Sequence, residues 1–449
     1  MKRWYKRLRR HKAKLSSVQI IALGFFIMIL VGAGLLMLPW ATQIPGGASF
    51  GDALFTATSA SCVTGLVLQD TGTYWSTFGQ VVIICLIQIG GLGFMTIATL
   101  FLLLLRRRLG LREREVMVSS VSYGRLGGLS AFVRQIFLGT LLAEGVGAAL
   151  LSMRFVQDFG WGRGIYYGVW HAVSAFCNGG FDLMGPHSGP FSSFTAYAGD
   201  PLVSLTLCAL ILVGGAGFLV WDDLLRCRHH WRRYRLQTKV VLFVNLVLVA
   251  GGAVLFLLLE RENLGAGKSL GRQALEAVFD AVTPRTAGFN TTDTASLSAG
   301  STLLTIILMV VGGGPGSTAG GVKVTTVAVL FVHTVAGIRR EQSANAFGRS
   351  IGDSALKQAT SACRLQQVHD GCFPSLEQVP SQALTLTIPA ILRASAIVCV
   401  VPARTKALAV RTALREEITP HCPASALRLH KHAVLYIETE SASLLEKEA

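Results

Sequence analysis

Charge is what this 449-residue chain has little of: 15% of its residues are Asp, Glu, Lys or Arg, against 51% hydrophobic. Soluble domains keep about a quarter of their residues charged, so the deficit excludes an ordinary aqueous domain. The nine cysteines show no paired spacing, which excludes a disulfide framework and a zinc site. A phosphate-binding loop is absent as well. Gly267-Lys268-Ser269 has Glu262 where the pattern requires Gly, and Gly316 and Gly321 lead into Val322 rather than Lys. An ATP-hydrolysing pump is therefore excluded. Ionisable residues inside the apolar stretches are few, Arg134 and Glu144 standing out and expected to pack near helix ends, which argues against a carrier of organic solutes.

Long apolar runs are abundant. Several exceed the ~18 residues needed to cross a hydrocarbon layer of about 30 Å. The net charge of +16 comes from short Lys and Arg clusters at the ends of these runs, the positive-inside pattern of a polytopic membrane protein, and leaves no case for nucleic acid. Clusters at Lys2 to Lys14, Arg106 to Arg108, Arg226 to Arg235 and Arg339-Arg340 fall on the cytoplasmic side. Trp40 to Thr77, with no Lys or Arg, falls outside. The first run, Leu15 to Pro39, is too long for a secretory leader and is expected to stay as a span. Spans are predicted near residues 17–39, 79–105, 131–152, 201–225, 238–260 and 301–336, in a lipid bilayer with the N-terminus cytoplasmic.

Within this frame one motif recurs at about 115-residue spacing, the mark of a repeated membrane unit. An aromatic-x-Ala-x-[Ser/Thr] run leads into Gly and an apolar residue: Phe55, Ala57, Ser59 to Gly65-Leu66; Trp170, Ala172, Ser174 to Gly180-Phe181; Phe279, Ala281, Thr283 to Gly288-Phe289. Asp52 to Ala60, Gly164 to Phe176 and Gln273 to Val282 are too short to span and suit re-entrant half-helices. Non-helical backbone at membrane depth is tolerated only when buried in protein or lining water. The fold class is thus all-α and polytopic, built of repeated span, pore half-helix, filter turn and span.

The turns themselves carry the candidate chemistry: Val63, Thr64 and Gly65; Asn178, Gly179 and Gly180; Thr286, Ala287 and Gly288. Gly permits the bend, and carbonyls ringed around an axis replace the hydration shell of an alkali cation. Half-helix C-termini add partial negative charge. Asp52, Asp182 and Asp280 add negative potential at the mouth, with surface solvation an equal reading for Asp182. A second glycine series, Gly90-Gly91-Leu92-Gly93-Phe94 and Gly214-Gly215-Ala216-Gly217-Phe218, reads as close helix packing. Its third copy differs. Gly312, Gly313, Gly314, Pro315, Gly316, Ser317, Thr318, Ala319, Gly320 and Gly321 place seven Gly or Pro in ten positions, a run no helix tolerates at about 1 kcal/mol per Gly and 3 per Pro. A loop at membrane depth that obstructs the pore is expected, with Lys323 snorkelling from its inner end.

These filter motifs, the break ending Gly-Ser-Thr-Ala-Gly-Gly-Val-Lys, and Gly-Phe-Leu-Val-Trp-Asp-Asp-Leu at Gly217 to Leu224 resemble the Trk/Ktr/HKT superfamily of potassium transporters, and within it the KtrB membrane subunits of Ktr systems. The likeness covers about residues 15 to 360. It implies a four-repeat pseudo-fourfold pore for K⁺ with an intramembrane gating loop, a homodimer, a cytosolic ring of nucleotide-binding regulatory subunits and no cofactor. Sodium coupling is typical of such relatives, although no residue here shows it.

A fourth filter, due near residue 400, is missing. Beyond Gly352 the only Gly is Gly371, Trp is absent and the only Phe is Phe373. Leu384 to Val401 is apolar but contains Pro389 and Arg393. The expected organisation is a basic N-terminus (1–16), repeat 1 (17–112), repeat 2 (113–236), repeat 3 with a broken second span (237–338), a cytoplasmic connection (339–360), and a tail (361–449) in place of repeat 4, either frame-shifted, divergent or fused. Three of four repeats leave a pathway open on one side, so the product is expected to be inactive unless another chain completes it.

Overall fold

The computed structural model describes residues 17–93, 96–97, 129–228, 230–263, 267–339, 344–347, 349–351, 355, 397–401, 407–415, 424, 427–428 and 433–437. The basic N-terminus, the far half of the second span and most of the tail lie outside the described residues. Residues Met1–Cys372 form one compact unit and Phe373–Ala449 another.

Repeat 1 opens with α1 (Ser17–Leu36), continues with the half-helix α2 (Phe50–Ser61) and closes with α3 (Thr77–Leu92). Ser49 starts α2 by accepting the Asp52 N–H at 3.1 Å while its hydroxyl reaches the Asp52 carboxylate, a cap that suits the positive end of a helix. Repeat 2 begins with α4 (Leu129–Phe176), two helices joined at Gly160, whose φ of 76° breaks the helical path. They fold back on each other: a Cβ on Gly164 would lie 2.5 Å from the Val156 nitrogen, and one on Gly168 would lie 2.1 Å from Ser152 Oγ. Span and half-helix thus form a hairpin, and the span extends past its expected end at 152. Within it Glu144 is buried well inside the helix, not near an end as expected.

α5 (Pro201–Ala216) and α6 (Phe218–Cys227) meet at 93°. Here and at Leu92 the structure corrects the continuous second spans expected at 201–225 and 79–105. Gly217 has φ 99° and Gly93 φ 82°, left-handed values that interrupt a helix and that only glycine adopts without strain. Packing explains the other members of this series. A Cβ on Gly90 would fall 2.1 Å from the Ser61 carbonyl oxygen, and one on Gly214 1.9 Å from that of Phe176. Each lets a second span touch the end of its half-helix.

Repeat 3 contains α7 (Leu236–Leu259), the half-helix α8 (Leu270–Val282), α9 (Ala299–Val310) and α10 (Val324–Ile338). The last two are the halves of the broken span expected from the glycine run. Among the described residues three helices are long and apolar enough to cross a membrane, or four if the bent α5–α6 pair is one span, with α3, α9 and α10 shorter apolar helices. The repeat's alanines Ala57, Ala172 and Ala281 are fully buried, and Gly32 and Gly252 sit against the first and third of these, so small residues set the approach of span to half-helix. Leu142, Leu246, Leu258 and Phe331 are two-thirds or more exposed, as a lipid-facing surface requires. Phe55 also faces outward, whereas its counterparts Trp170 and Phe279 are buried.

Among the described residues the strands all follow α10 in sequence, and the first pair packs on it. β1 (Ala344–Ala346) and β2 (Arg349–Ile351) form an antiparallel hairpin. In the second unit β3 (Ile397–Val401) and β4 (Ala433–Ile437) pair in parallel, with α11 (Ala407–Arg415) between them in sequence.

Candidate functional site

Each turn after a half-helix has the same backbone signature. Val63, Asn178 and Thr286 have φ of 54°, 59° and 69°, and two residues on Gly65, Gly180 and Gly288 have 81°, 68° and 85°. The residue between does not. Alternating hand along an extended segment turns successive carbonyls to one side, the arrangement a dehydrated cation needs. Left-handed positions are costly for a β-branched residue such as Val63 or Thr286, so the packing around the turns must hold them.

That packing repeats as well. Ser59 Oγ donates to the Leu66 carbonyl at 2.7 Å, Ser174 Oγ to that of Phe181 at 2.8 Å and Thr283 Oγ1 to that of Phe289 at 2.5 Å. The hydroxyl at the end of each half-helix ties down the residue that follows the filter glycine. Backbone bonds close the same loops: Thr64 N–H to Ser59, Gly179 N–H to Ser174 and Gly288 N–H to Thr283. The sequence motif had marked these three residues without revealing their task.

The turns stand side by side. A Cβ on Gly65 would lie 2.9 Å from the Gly179 oxygen, and one on Gly180 would lie 2.4 Å from the Ala287 oxygen and 3.2 Å from Gly288 Cα. At Gly288 a Cβ would meet only Gly180 Cα, at 3.5 Å. Turn 2 therefore touches both neighbours, and none of these glycine contacts joins turn 1 to turn 3.

Beneath turns 2 and 3 lies the loop 311–323. Its neck is closed by the Gly312 N–H to Val322 oxygen bond at 3.0 Å and a Val311–Val322 bridge. Its body docks on the bend of repeat 2. Gly314 N–H donates to Gly215 at 2.8 Å, and Phe218 N–H donates to Gly316 at 2.8 Å. A Cβ on Gly312 would strike the Gly320 oxygen at 1.9 Å and one on Gly314 the Ala216 oxygen at 2.2 Å, which is why this run is glycine-rich. Thr318 Oγ1 donates to the Phe176 carbonyl at 3.0 Å and lies 3.4 Å from Asn178 Oδ1. Gly320 N–H reaches Thr286 Oγ1 at 3.3 Å. Pro315, Ser317 and Ala319 complete the loop. Lys323 does not snorkel outward: its ammonium turns back to the Ala319 carbonyl at 2.6 Å.

Charged groups surround the turns without entering them. Arg285, next to turn 3, is buried; its Nη2 bonds Asn245 Oδ1 and the Gly312 oxygen, while Nε and Nη1 have no hydrogen-bond partner. Glu144 accepts Gln88 Nε2 at 3.2 Å, and Gln88 Oε1 accepts the Cys177 thiol. Asp280 is held by Thr292 Oγ1 at 3.0 Å, and Asp52 serves the α2 cap. Asp182 is partly buried rather than surface-solvated and accepts the Met184 N–H at 2.9 Å; burial, helped by the charge of Asp70, raises its pKa to about 6 against that bond. Of the Met1–Cys372 unit, the parts brought together are the three filter turns and the loop.

Repeated units that fold their short helices inward and meet through carbonyl-bearing turns define a multi-pass membrane transport protein for cations, not an enzyme. The family model described as "TrkH: Cation transport protein" matches residues 46–363. The chain is 40% identical over 352 residues to the potassium/sodium uptake protein NtpJ of Enterococcus hirae, covering 78% of this chain and 76% of that protein. It is 41% identical over 338 residues to Ktr system potassium uptake protein B of Bacillus subtilis, covering 74% and 73%. The crystal structure of the potassium transporter TrkH from Vibrio parahaemolyticus superposes with a TM-score of 0.59 at 18% identity, over 80% of this chain and 74% of that one. The chain belongs to the TrkH family of cation transport proteins, which are multi-pass proteins of the bacterial cytoplasmic membrane. A separate likeness concerns a different class: glucosamine-6-phosphate deaminase 1 of Bacillus subtilis is 40% identical over 79 residues, 18% of this chain and 33% of that protein.

Proposed function

We propose that this chain supplies three sides of a potassium-uptake pathway across the cytoplasmic membrane. The ion is held by backbone carbonyls of Val63, Thr64 and Gly65, of Asn178, Gly179 and Gly180, and of Thr286, Ala287 and Gly288. The observation that carries this reading is the alternating-hand backbone repeated in three turns that lie against one another. The loop from Gly312 to Gly321, with Lys323 folded onto it, is the gate, since it lies under two of the three turns and is hydrogen-bonded to both. By likeness to its Ktr relatives the protein is a homodimer on a cytosolic ring of nucleotide-binding regulatory subunits.

An ion cannot be stripped of water by a ring open on one side, so the chain alone does not conduct, and a fourth side must come from elsewhere. The test is rubidium uptake by a strain lacking its own potassium transporters. The chain as it stands should give none, and residues 1–360 joined to the fourth repeat of the NtpJ relative should restore uptake that Gly288→Ser abolishes. Uptake indifferent to Gly288→Ser would overturn the filter assignment. A second reading, a path for sodium, is favoured by the name of the NtpJ relative, and the same cells loaded with ²²Na⁺ distinguish it.

A further inference from the structure

The tail that replaces the fourth repeat has a character of its own. The match to the cation transport family ends at residue 363, and 86 residues follow. The boundary between compact units, at Cys372, falls nearby. Those 86 residues include seventeen Asp, Glu, Lys or Arg, about one in five, against 15% for the whole chain.

What is described of this unit is a strand, a helix and a strand. β3 and β4 pair in parallel from Ile397↔Ala433 to Val401↔Ile437, and α11 lies between them in sequence with Val410 buried. Parallel neighbours need a crossover of a dozen or more residues, usually through a helix, and here α11 stands in that connection. Both strands, Ile-Val-Cys-Val-Val and Ala-Val-Leu-Tyr-Ile, are unbroken apolar runs. That is how strands read when a parallel sheet is covered on both faces, as in α/β proteins. Hydrocarbon accepts only helices and closed barrels, because an open strand edge leaves N–H and C=O groups unpaired there. The parallel pair seen among the described residues is neither.

The length of the deaminase likeness points to this unit as its place in the chain. It spans 79 residues at 40% identity, a length that fits the 86 left over by the transporter family. A stretch of transmembrane repeats, by contrast, has no counterpart in an enzyme of that class. We propose that residues 364–449 are a water-soluble α/β segment shared with glucosamine-6-phosphate deaminases, joined to a three-repeat cation transporter, and that they contribute no span, half-helix or filter to the pore. The likeness covers one third of the length of such a deaminase. The proposal stands independently of the filter assignment.

A tobacco etch virus protease site inserted after Thr360 of the full chain tests it in inside-out membrane vesicles. The site should be cut without detergent, and a carbonate wash should then carry the tail into the supernatant while the remainder stays in the membrane pellet. A cut tail that remains in the pellet, or a site protected until detergent is added, would overturn the proposal. Either result reports on the tail alone, whereas the Gly288→Ser uptake assay reports on the filter.

Discussion

Substituting alanine at the three filter glycines should produce a graded loss of stability whose order is fixed by what each new methyl group meets. All three positions share one cost, an L-residue held at a φ between 68° and 85°, about 1–2 kcal/mol. They differ in the second. At Gly288 the methyl would sit 3.5 Å from its only neighbour, ordinary contact distance. At Gly65 it would sit 2.9 Å from a backbone oxygen, and at Gly180 2.4 Å from another with Gly288 Cα at 3.2 Å. Reaching ordinary contact at Gly180 needs a displacement of about 1 Å between turns 2 and 3, and overpacking of this kind costs about 1–3 kcal/mol more. The order is therefore Gly180→Ala worst at about 2–5 kcal/mol, Gly65→Ala next, and Gly288→Ala mildest at about 1–2. Melting of the detergent-solubilised protein followed by fluorescence-detected size exclusion measures it, with shifts of a few degrees per variant. Gly288→Ala melting below Gly180→Ala would refute the side-by-side arrangement of the turns.

Three further outcomes are expected. Ser174→Ala, which removes the bond to the Phe181 carbonyl, should lower stability by about 1–2 kcal/mol and, in the chain completed with a fourth repeat, should weaken rubidium-over-sodium preference; Ser174→Thr should retain more of both. Thr318→Val removes the loop's bonds to Phe176 and Asn178 and should raise the maximal uptake rate of the completed chain with the half-saturating rubidium concentration unchanged, so a shift in the latter would place Thr318 in the filter instead. Asp182, on the outer side beyond turn 2, has a folded-state pKa raised to about 6, so it binds protons in the folded state more readily than in the unfolded one and its ionisation destabilises the fold as pH rises from about 4 through 6. Asp182→Asn should thus stabilise the protein at pH about 7.5 by up to 2–3 kcal/mol and have no effect near pH 4; melting curves at both values decide it.

Much of this molecule is written in its periodicity. The aromatic-x-Ala-x-[Ser/Thr] repeat located the half-helices to within a few residues because Ala57, Ala172 and Ala281 must be small where a span crosses. The glycine run of repeat 3 announced a broken span because no helix survives seven such residues in ten. What escaped the sequence depends on long-range geometry. Gly90 and Gly93 look alike in a glycine-rich string, yet one abuts the Ser61 carbonyl and the other ends a helix at φ 82°. Likewise, nothing local distinguishes Gly217, where a helix bends by 93° to admit the Pro315–Gly316 peptide. Hydroxyl groups were counted as part of a motif, but their carbonyl partners lie beyond the turn and appear only once it is folded. Lys323 was expected to reach water, the usual course for a lysine at a span end, but the Ala319 carbonyl of the loop holds it instead.

The account rests on carbonyls of three turns converging on one cation. Thallium, a heavy potassium substitute, soaked into crystals of the chain completed with a fourth repeat, tests this directly by anomalous diffraction. The account predicts a peak enclosed by the backbone oxygens of Val63 to Gly65, Asn178 to Gly180 and Thr286 to Gly288. Thallium bound only elsewhere, with these turns ion-free, would contradict it.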